Sequence, residues 1–291
     1  MIENPNVDIR PSPISGAWYS DNADSLRTEL EGYLKRAQSP AFDGQVIALV
    51  LPHAGLYYSG LTAAHALNAI AGQRYQRVII LSPSHQAHPG HVLTSDHSAY
   101  QTPLGLVPVG RDALEKLGAR LAQKKLSLNP IRRDREHSIE IELPFLQHLL
   151  PEGFTLIPLM LMDQSLTLAK SLSDALLELI DTFPSEEKTL LIASSDLSHY
   201  HNQRQANQLD RNLIDALQNF EPEKFYQLKT NHKTEACGYG AIATVLLTAQ
   251  KLGSKQVSIA DYRTSGDISG DSGSVVGYVS AIVSSGKGAE K

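Results

Sequence analysis

Uninterrupted apolar runs alternate with amphipathic stretches along most of the chain. Residues 45–51, 77–81 and 189–193 are strand-sized and too uniformly apolar for a sheet with one wet face. Residues 154–160, 257–263 and 274–283 also read as strands, and residues 91–109 as a hairpin with turn chemistry at Thr102-Pro103-Leu104-Gly105. Helical periodicity covers residues 24–37, where Leu26, Leu30 and Leu34 share a face and Asn22 or Asp24 stands near the N-cap. Further helices are predicted over 60–71, 111–124, 138–150, 166–183, 203–219, 222–230 and 239–252. Apolar strands alternating with helices predict an α/β fold with a central sheet flanked by helices. The hairpin and the two terminal strands make that sheet mixed. No linker, repeat or low-complexity tract interrupts the pattern before residues 284–291, so residues 1–291 read as a single domain with a flexible tail over 284–291.

Composition narrows the function classes. The 291 residues are 42% hydrophobic and 20% charged, with a formal net charge of -5. A phosphate-tracking nucleic-acid binder needs a basic surface. The one basic cluster, Arg132, Arg133 and Arg135, is broken by Asp134 and followed by Glu136, so no nucleic-acid partner is expected. The single cysteine, Cys237, excludes a disulfide-stapled scaffold. Residues 1–20 lack a basic segment followed by an apolar run, and no apolar run approaches the length of a membrane span. The expectation is a cytoplasmic protein with no membrane partner.

In open α/β sheets, ligands sit beyond the carboxyl ends of the strands. Those positions hold His53 after the first apolar run, His85 after the second, and Ser194-Ser195-Asp196-Leu197-Ser198-His199 after 189–193. Two histidines from different strand ends with one anionic group form a common shell for a metal ion. The anionic candidates are Asp196, Glu136, Glu140 and Cys237. Cys237 precedes a predicted helix, whose N-terminus favours a thiolate. Each residue also has a plainer role. A buried cysteine is more often a small hydrophobe. His53 could cap the turn before Gly55, and His85 could bond the Ser-Pro-Ser turn. Asp196 could cap a turn or orient a histidine. Glu136 and Glu140 sit in a charge-rich segment that could be a solvated helix start. The argument for a site rests on the combined pattern.

Several ordered motifs together resemble the Memo family, whose bacterial and archaeal members are called AmmeMemoRadiSam system protein B. They are Pro52-His53-Ala54-Gly55, Tyr58-Ser59-Gly60, Pro83-Ser84-His85, Glu136-His137-Ser138-Ile139-Glu140, Leu143-Pro144-Phe145, Ser194 to His199 and Cys237-Gly238, with Gly16-Ala17-Trp18-Tyr19 near the start. The resemblance covers nearly the whole chain. It implies the fold of class III extradiol dioxygenases, which hold non-haem iron with two histidines and a carboxylate. Carried over by motif, His53 and His85 match the histidine ligands, and Cys237 stands in the role those enzymes give a carboxylate. His199 matches the acid/base histidine with Asp196 beside it, and Trp18, Tyr58, Glu136 and His137 belong to the substrate pocket.

A thiolate is softer than a carboxylate and shifts metal preference toward copper, zinc or a redox-sensitive iron site. Cys237 could also be oxidised during turnover. The leading expectation is therefore an iron- or copper-dependent redox enzyme acting on a small-molecule or peptide substrate, with Asp196 fixing the His199 tautomer. A second expectation is a non-catalytic protein that binds a metal or a phosphopeptide. A third is a zinc-dependent hydrolase. The family name also implies a pathway link to an AMMECR-type protein and a radical SAM enzyme.

Overall fold

The computed structural model describes residues 8–132 and 134–286. In chain order its strands are β1 (Ile9–Arg10), β2 (Val46–Leu51), β3 (Arg77–Pro83), β4 (Val92–Ser95), β5 (Ala99–Thr102), β6 (Gly105–Pro108), β7 (Leu128–Ile131), β8 (Thr155–Leu161), β9 (Thr189–Ser194), β10 (His199–His201), β11 (Gln256–Thr264) and β12 (Val275–Ser284). The helices are α1 (Ala23–Arg36), α2 (Leu56–Leu67), α3 (Arg111–Gln123), α4 (Leu143–Leu149), α5 (Leu166–Ile180), α6 (Gln203–Gln218), α7 (Lys224–Thr230), α8 (Tyr239–Lys251) and α9 (Ser265–Ser269).

The fold is α/β, as the alternating pattern predicts. A nine-stranded mixed sheet runs β10-β12-β2-β9-β3-β8-β4-β7, with β11 paired to β12. Its centre, β2-β9-β3-β8, is parallel, and the flanking pairs β12–β2 and β4–β8 are antiparallel. Every residue of β9 after Thr189 is buried, which accounts for its unbroken apolar run. Helices α2 and α6 pack on the β11–β12 end, and α8 lies across β2, β9 and β3 with α5 against it. Helix α8 is apolar all round, and Gly240 to Ala249 are buried without exception. Each large side chain buried this way contributes about 1.5–3 kcal/mol. The cost of moving α8 is therefore high, and the loop that enters it is held in place.

Local differences from the sequence pattern have local causes. Only β5 and β6 form the expected hairpin, whereas β4 pairs with β8 and β7 in the main sheet. Helix α2 starts directly after Gly55. The predicted helix over 138–150 is a 3-10 turn at Glu140–Glu142 followed by α4. Residues 134–137 before it carry no regular structure, and there Glu136 folds back on its own backbone, as described below. The short elements β1, β7, β10 and α9 lack the apolar runs that would announce them. Ser284 closes β12, and the Ser285 and Gly286 N–H groups donate to the Gln45 and Asp43 carbonyls. Residues 287–291 of the expected tail, residues 1–7 and Arg133 lie outside the described residues. Among the described residues no helix is long and apolar enough to cross a membrane.

Candidate metal centre

Parallel neighbours β2, β9 and β3 end side by side, so the residues that follow them converge. His53 follows β2, His85 follows β3, and Asp196 follows β9. The loop entering α8 adds Cys237 to the same place. Donor atoms of His53, His85 and Cys237 lie within 4.8 Å of one another. Donors about 2.0–2.3 Å from a tetrahedral ion lie roughly 3.3–3.8 Å apart, so a shared metal would draw these side chains together by up to about 1.5 Å.

Each ligand candidate has its own support. His53 is buried, and its ring Nδ1 lies 2.9 Å from Ser194 Oγ while Nε2 lies 3.2 Å from Cys237 Sγ. Ser194 Oγ has one hydrogen and three neighbours. It is 2.6 Å from the Ser138 carbonyl, which can only accept, so that bond takes the hydrogen. His53 Nδ1–H then donates to Ser194, which leaves the Nε2 lone pair facing the cavity. The third neighbour, Glu142 Oε1 at 3.1 Å, is satisfied only if Glu142 donates. Burial pushes Glu142 well above the usual carboxylate range, which supplies the neutral acid this requires.

His85 is clamped by Glu136. The His85 N–H donates to Glu136 Oε2 at 2.6 Å, and the ring Nδ1 lies 2.9 Å from Oε1. Glu136 Oε1 also accepts from the His137 N–H, the Ser138 N–H and the Ser138 hydroxyl. These donors outweigh burial and hold Glu136 ionised, well below the usual range. The Glu136 bond raises His85, with burial opposing. A carboxylate behind Nδ1 fixes the tautomer that presents Nε2 to a metal.

Cys237 Sγ accepts from the Asp196 N–H at 3.2 Å. Gln164 holds the loop from outside, donating to the Cys237 carbonyl at 2.7 Å and accepting from Gly240 N–H at 2.9 Å. Burial and nearby Asp196 push the Cys237 thiol up. The helix end expected to favour a thiolate therefore does not prevail, and the thiol keeps its proton until a cation displaces it.

Two expected roles change. Asp196 Oδ1 accepts the His53 N–H at 2.8 Å, and the carboxylate also takes the Ala54 N–H. Its hydrogen bonds go to the His53 and Ala54 backbone, so it fastens the β2 end to the β9 end. Burial pushes Asp196 up to about 7. His199 bonds the Leu197 backbone, and burial lowers it, so it is neutral at neutral pH. Glu136 was expected in the pocket but is buried behind His85. Glu140, an anionic candidate, is bound instead by Arg10, Tyr19 and Ser12. Glu142 and Gln164 are positioning residues that no sequence motif isolates, and Ser194, though it opens the Ser194 to His199 motif, has no role assigned there.

Above the donors opens a cavity of about 660 Å³. Trp18, Tyr58, His137 and His199 line it. His137 is sandwiched, with its ring centroid 4.8 Å from His85 and 4.4 Å from Trp18. Burial pushes His137 down to about 4.

The family model described as Memo-like protein matches residues 10–282. A MEMO1 family protein of Nitrosopumilus maritimus is 33% identical over 274 residues, covering 93% of this chain and 98% of the relative. One from Thermotoga maritima is 35% identical over 286 residues, covering 94% and 99%. Among solved structures, an uncharacterized Escherichia coli K12 protein, JW3007, aligns with a TM-score of 0.52 at 16% identity, covering 82% of this chain and all of that one. That likeness is one of fold.

Proposed function

Because the chain belongs to the Memo family, we propose that His53, His85 and Cys237 hold a transition-metal ion and that the cavity beside it hosts a redox reaction on a small organic molecule. The observation that carries this reading is the convergence of three donors from three chain segments, two of them imidazoles whose Nδ1 is already committed. The donor set fits a borderline or soft ion such as iron, copper or zinc better than magnesium or calcium. Such an ion, when bound, would supply electron transfer or Lewis acidity.

The chain's own groups would do the rest. Neutral His199, on the cavity wall, would accept a proton from the substrate. Asp196, poised near neutral pH, would hold the two strand ends in register. Trp18 and His137 would exclude water from one side. The substrate is a small molecule or a peptide-derived group, and an AMMECR-type protein and a radical SAM enzyme are the expected pathway neighbours.

The test is metal content of protein purified without oxygen, wild type beside Cys237→Ser. Stoichiometric iron or copper, lost in the variant, is the expected result. A protein that takes up no Fe(II), Cu(I) or Zn(II) refutes the reading. Zinc with oxygen-independent activity would replace it by hydrolysis, and metal without turnover by a binding role.

A further inference from the structure

Large apolar side chains are seldom left exposed, and a cluster of them marks a binding surface. Four are exposed among the described residues: Tyr57 (64%), Tyr58 (40%), Tyr200 (78%) and Leu106. The three tyrosines all line the cavity above the candidate metal centre, together with Trp18 and Tyr278. Five of the chain's 11 Tyr and 1 Trp therefore meet at one opening, and none of its 6 Phe does. A merely apolar ligand would be served equally by phenylalanine. Tyrosine and tryptophan offer the more electron-rich faces.

Tyr200 carries a second mark. Its backbone sits in the left-handed region (φ 63), uncommon for a bulky residue. Flanking His199 and His201 pair with Val276 and Val275 of β12 across a register irregularity, and the His201 ring bonds Glu235 at 2.9 Å. The bulge is held from both sides, and it presents the Tyr200 ring at the opening. Strain kept in place by its surroundings is characteristic of functional sites.

Charge decides what those rings receive. The cavity lining contains no Lys or Arg among the described residues, and its one carboxylate is Asp196. A divalent ion at the centre would add two positive charges, but the Cys237 thiolate and the Glu136 carboxylate behind His85 offset both. The opening thus offers no excess positive charge to an anionic ligand.

We propose that Trp18, Tyr57, Tyr58, Tyr200 and Tyr278 form an aromatic cage for an organic ammonium group, so that the ligand of this site is an amine or quaternary ammonium compound. The inference rests on the reading of this cavity as the substrate pocket of a metal centre. A cation over aromatic faces gains attraction that a neutral isostere lacks, and an anion there is repelled.

Trp18 is the only tryptophan, so its fluorescence reports on the cavity directly. The probes are benzyltrimethylammonium, benzyl alcohol and benzylphosphonate, which share a ring and differ in charge. Each is titrated into metal-free and zinc-loaded protein, with calorimetry alongside. The cation is expected to bind about tenfold more tightly than the alcohol, and the phosphonate most weakly. Tyr200→Ala and Tyr57→Ala should each weaken the cation severalfold, with Tyr200→Phe weakening it less. Tightest binding of the phosphonate, cation affinity indifferent to both alanine variants, or no quenching and no heat with the cation would each overturn the cage. Zinc uptake without cation binding defeats the cage alone. Cation binding by a protein that takes no metal defeats the metal reading and leaves the cage standing.

Discussion

Glu136 grips His85 by two points, its Oε2 2.6 Å from the backbone N–H and its Oε1 2.9 Å from ring Nδ1. One carboxylate thereby sets both the position and the tautomer of a metal-ligand candidate. Glu136→Ala should lower zinc affinity about 10–100-fold, the usual cost of removing a carboxylate behind a ligating histidine. Calorimetric titration of zinc into the folded variant checks this. An unchanged affinity would mean that His85 is not a ligand.

Ser194 and Glu142 should separate by chemistry. Ser194→Ala removes the acceptor for His53 Nδ1–H and strands the Ser138 carbonyl, which should cost about 1–3 kcal/mol in denaturant stability. Glu142 acts as a donor to Ser194, so Glu142→Gln, whose amide also donates, should be nearly neutral at pH 7. The wild-type infrared spectrum should contain a protonated-carboxyl band that this variant lacks. A large destabilisation of Glu142→Gln, with no such band, would show that Glu142 is ionised.

His137 should make the metal-free protein lose stability in mild acid. His137 falls from the usual 6.5 to about 4 on folding, and His53 is also lowered. Between those values His137 is protonated in the unfolded chain and not in the folded one, so its contribution is full above about pH 6.5 and declines toward pH 4. For His137 the loss is on the order of 3 kcal/mol. His85, Asp196 and Glu142 are raised and oppose this in the same window, so the His137 contribution is read from the difference between variant and wild type. His137→Phe keeps a ring between Trp18 and His85 but cannot titrate. Its melting temperature should fall less than the wild type's between pH 7 and 5, and parallel curves would refute the assignment.

Arg10 reaches the site from β1. It is buried, its guanidinium meets Asp134 and Glu140, and its Nη2 donates to the Glu136 carbonyl at 2.6 Å. Breaking a buried pair on one side costs about 3–5 kcal/mol because the partner charges stay behind. Arg10→Met should show that loss by denaturant unfolding, together with weaker zinc binding through the Glu136 segment. Loss of stability with unchanged zinc affinity in the folded protein would confine Arg10 to the scaffold.

What the sequence made legible follows from locality. His53 and His85 could be read because each stands just past an apolar strand, and strand ends are where α/β sheets bind ligands. The Ser194–Glu142 contact spans 52 positions and depends on how the start of α4 meets the end of β9, which no periodicity encodes. Asp196 seemed tied to His199 because three positions separate them. The β2–β9 pairing instead brings His53, 143 positions away, within hydrogen-bond reach. Residues 138–150 read as one helix by hydrophobic spacing alone. The donors that Glu136 takes from the backbones of His137 and Ser138 delay the helical turns.

Gly238 tests whether the Cys237 loop is placed by close packing. A Cβ there would lie 2.7 Å from the Ser194 carbonyl oxygen and 2.8 Å from Ser195 Cβ, both parts of the β9 end with no room to yield. Its φ of -110 suits any residue, so the obstacle is contact and not backbone conformation. Gly238→Ala should push the loop off β9, breaking the Gly238 N–H bond to Ser195 Oγ and moving Sγ from its 3.2 Å approach to His53 Nε2. Overpacking of this kind costs about 1–3 kcal/mol. Zinc affinity should fall further than stability alone explains, by tenfold or more. Gly118→Ala is the control: it sits in α3, where a Cβ meets Leu128 only at 3.8 Å. That change should stabilise by about 0.5–1 kcal/mol, because alanine is the better helix former, and leave zinc binding unchanged. Equal zinc affinity in both variants would show that the loop reaches its place without the β9 contact.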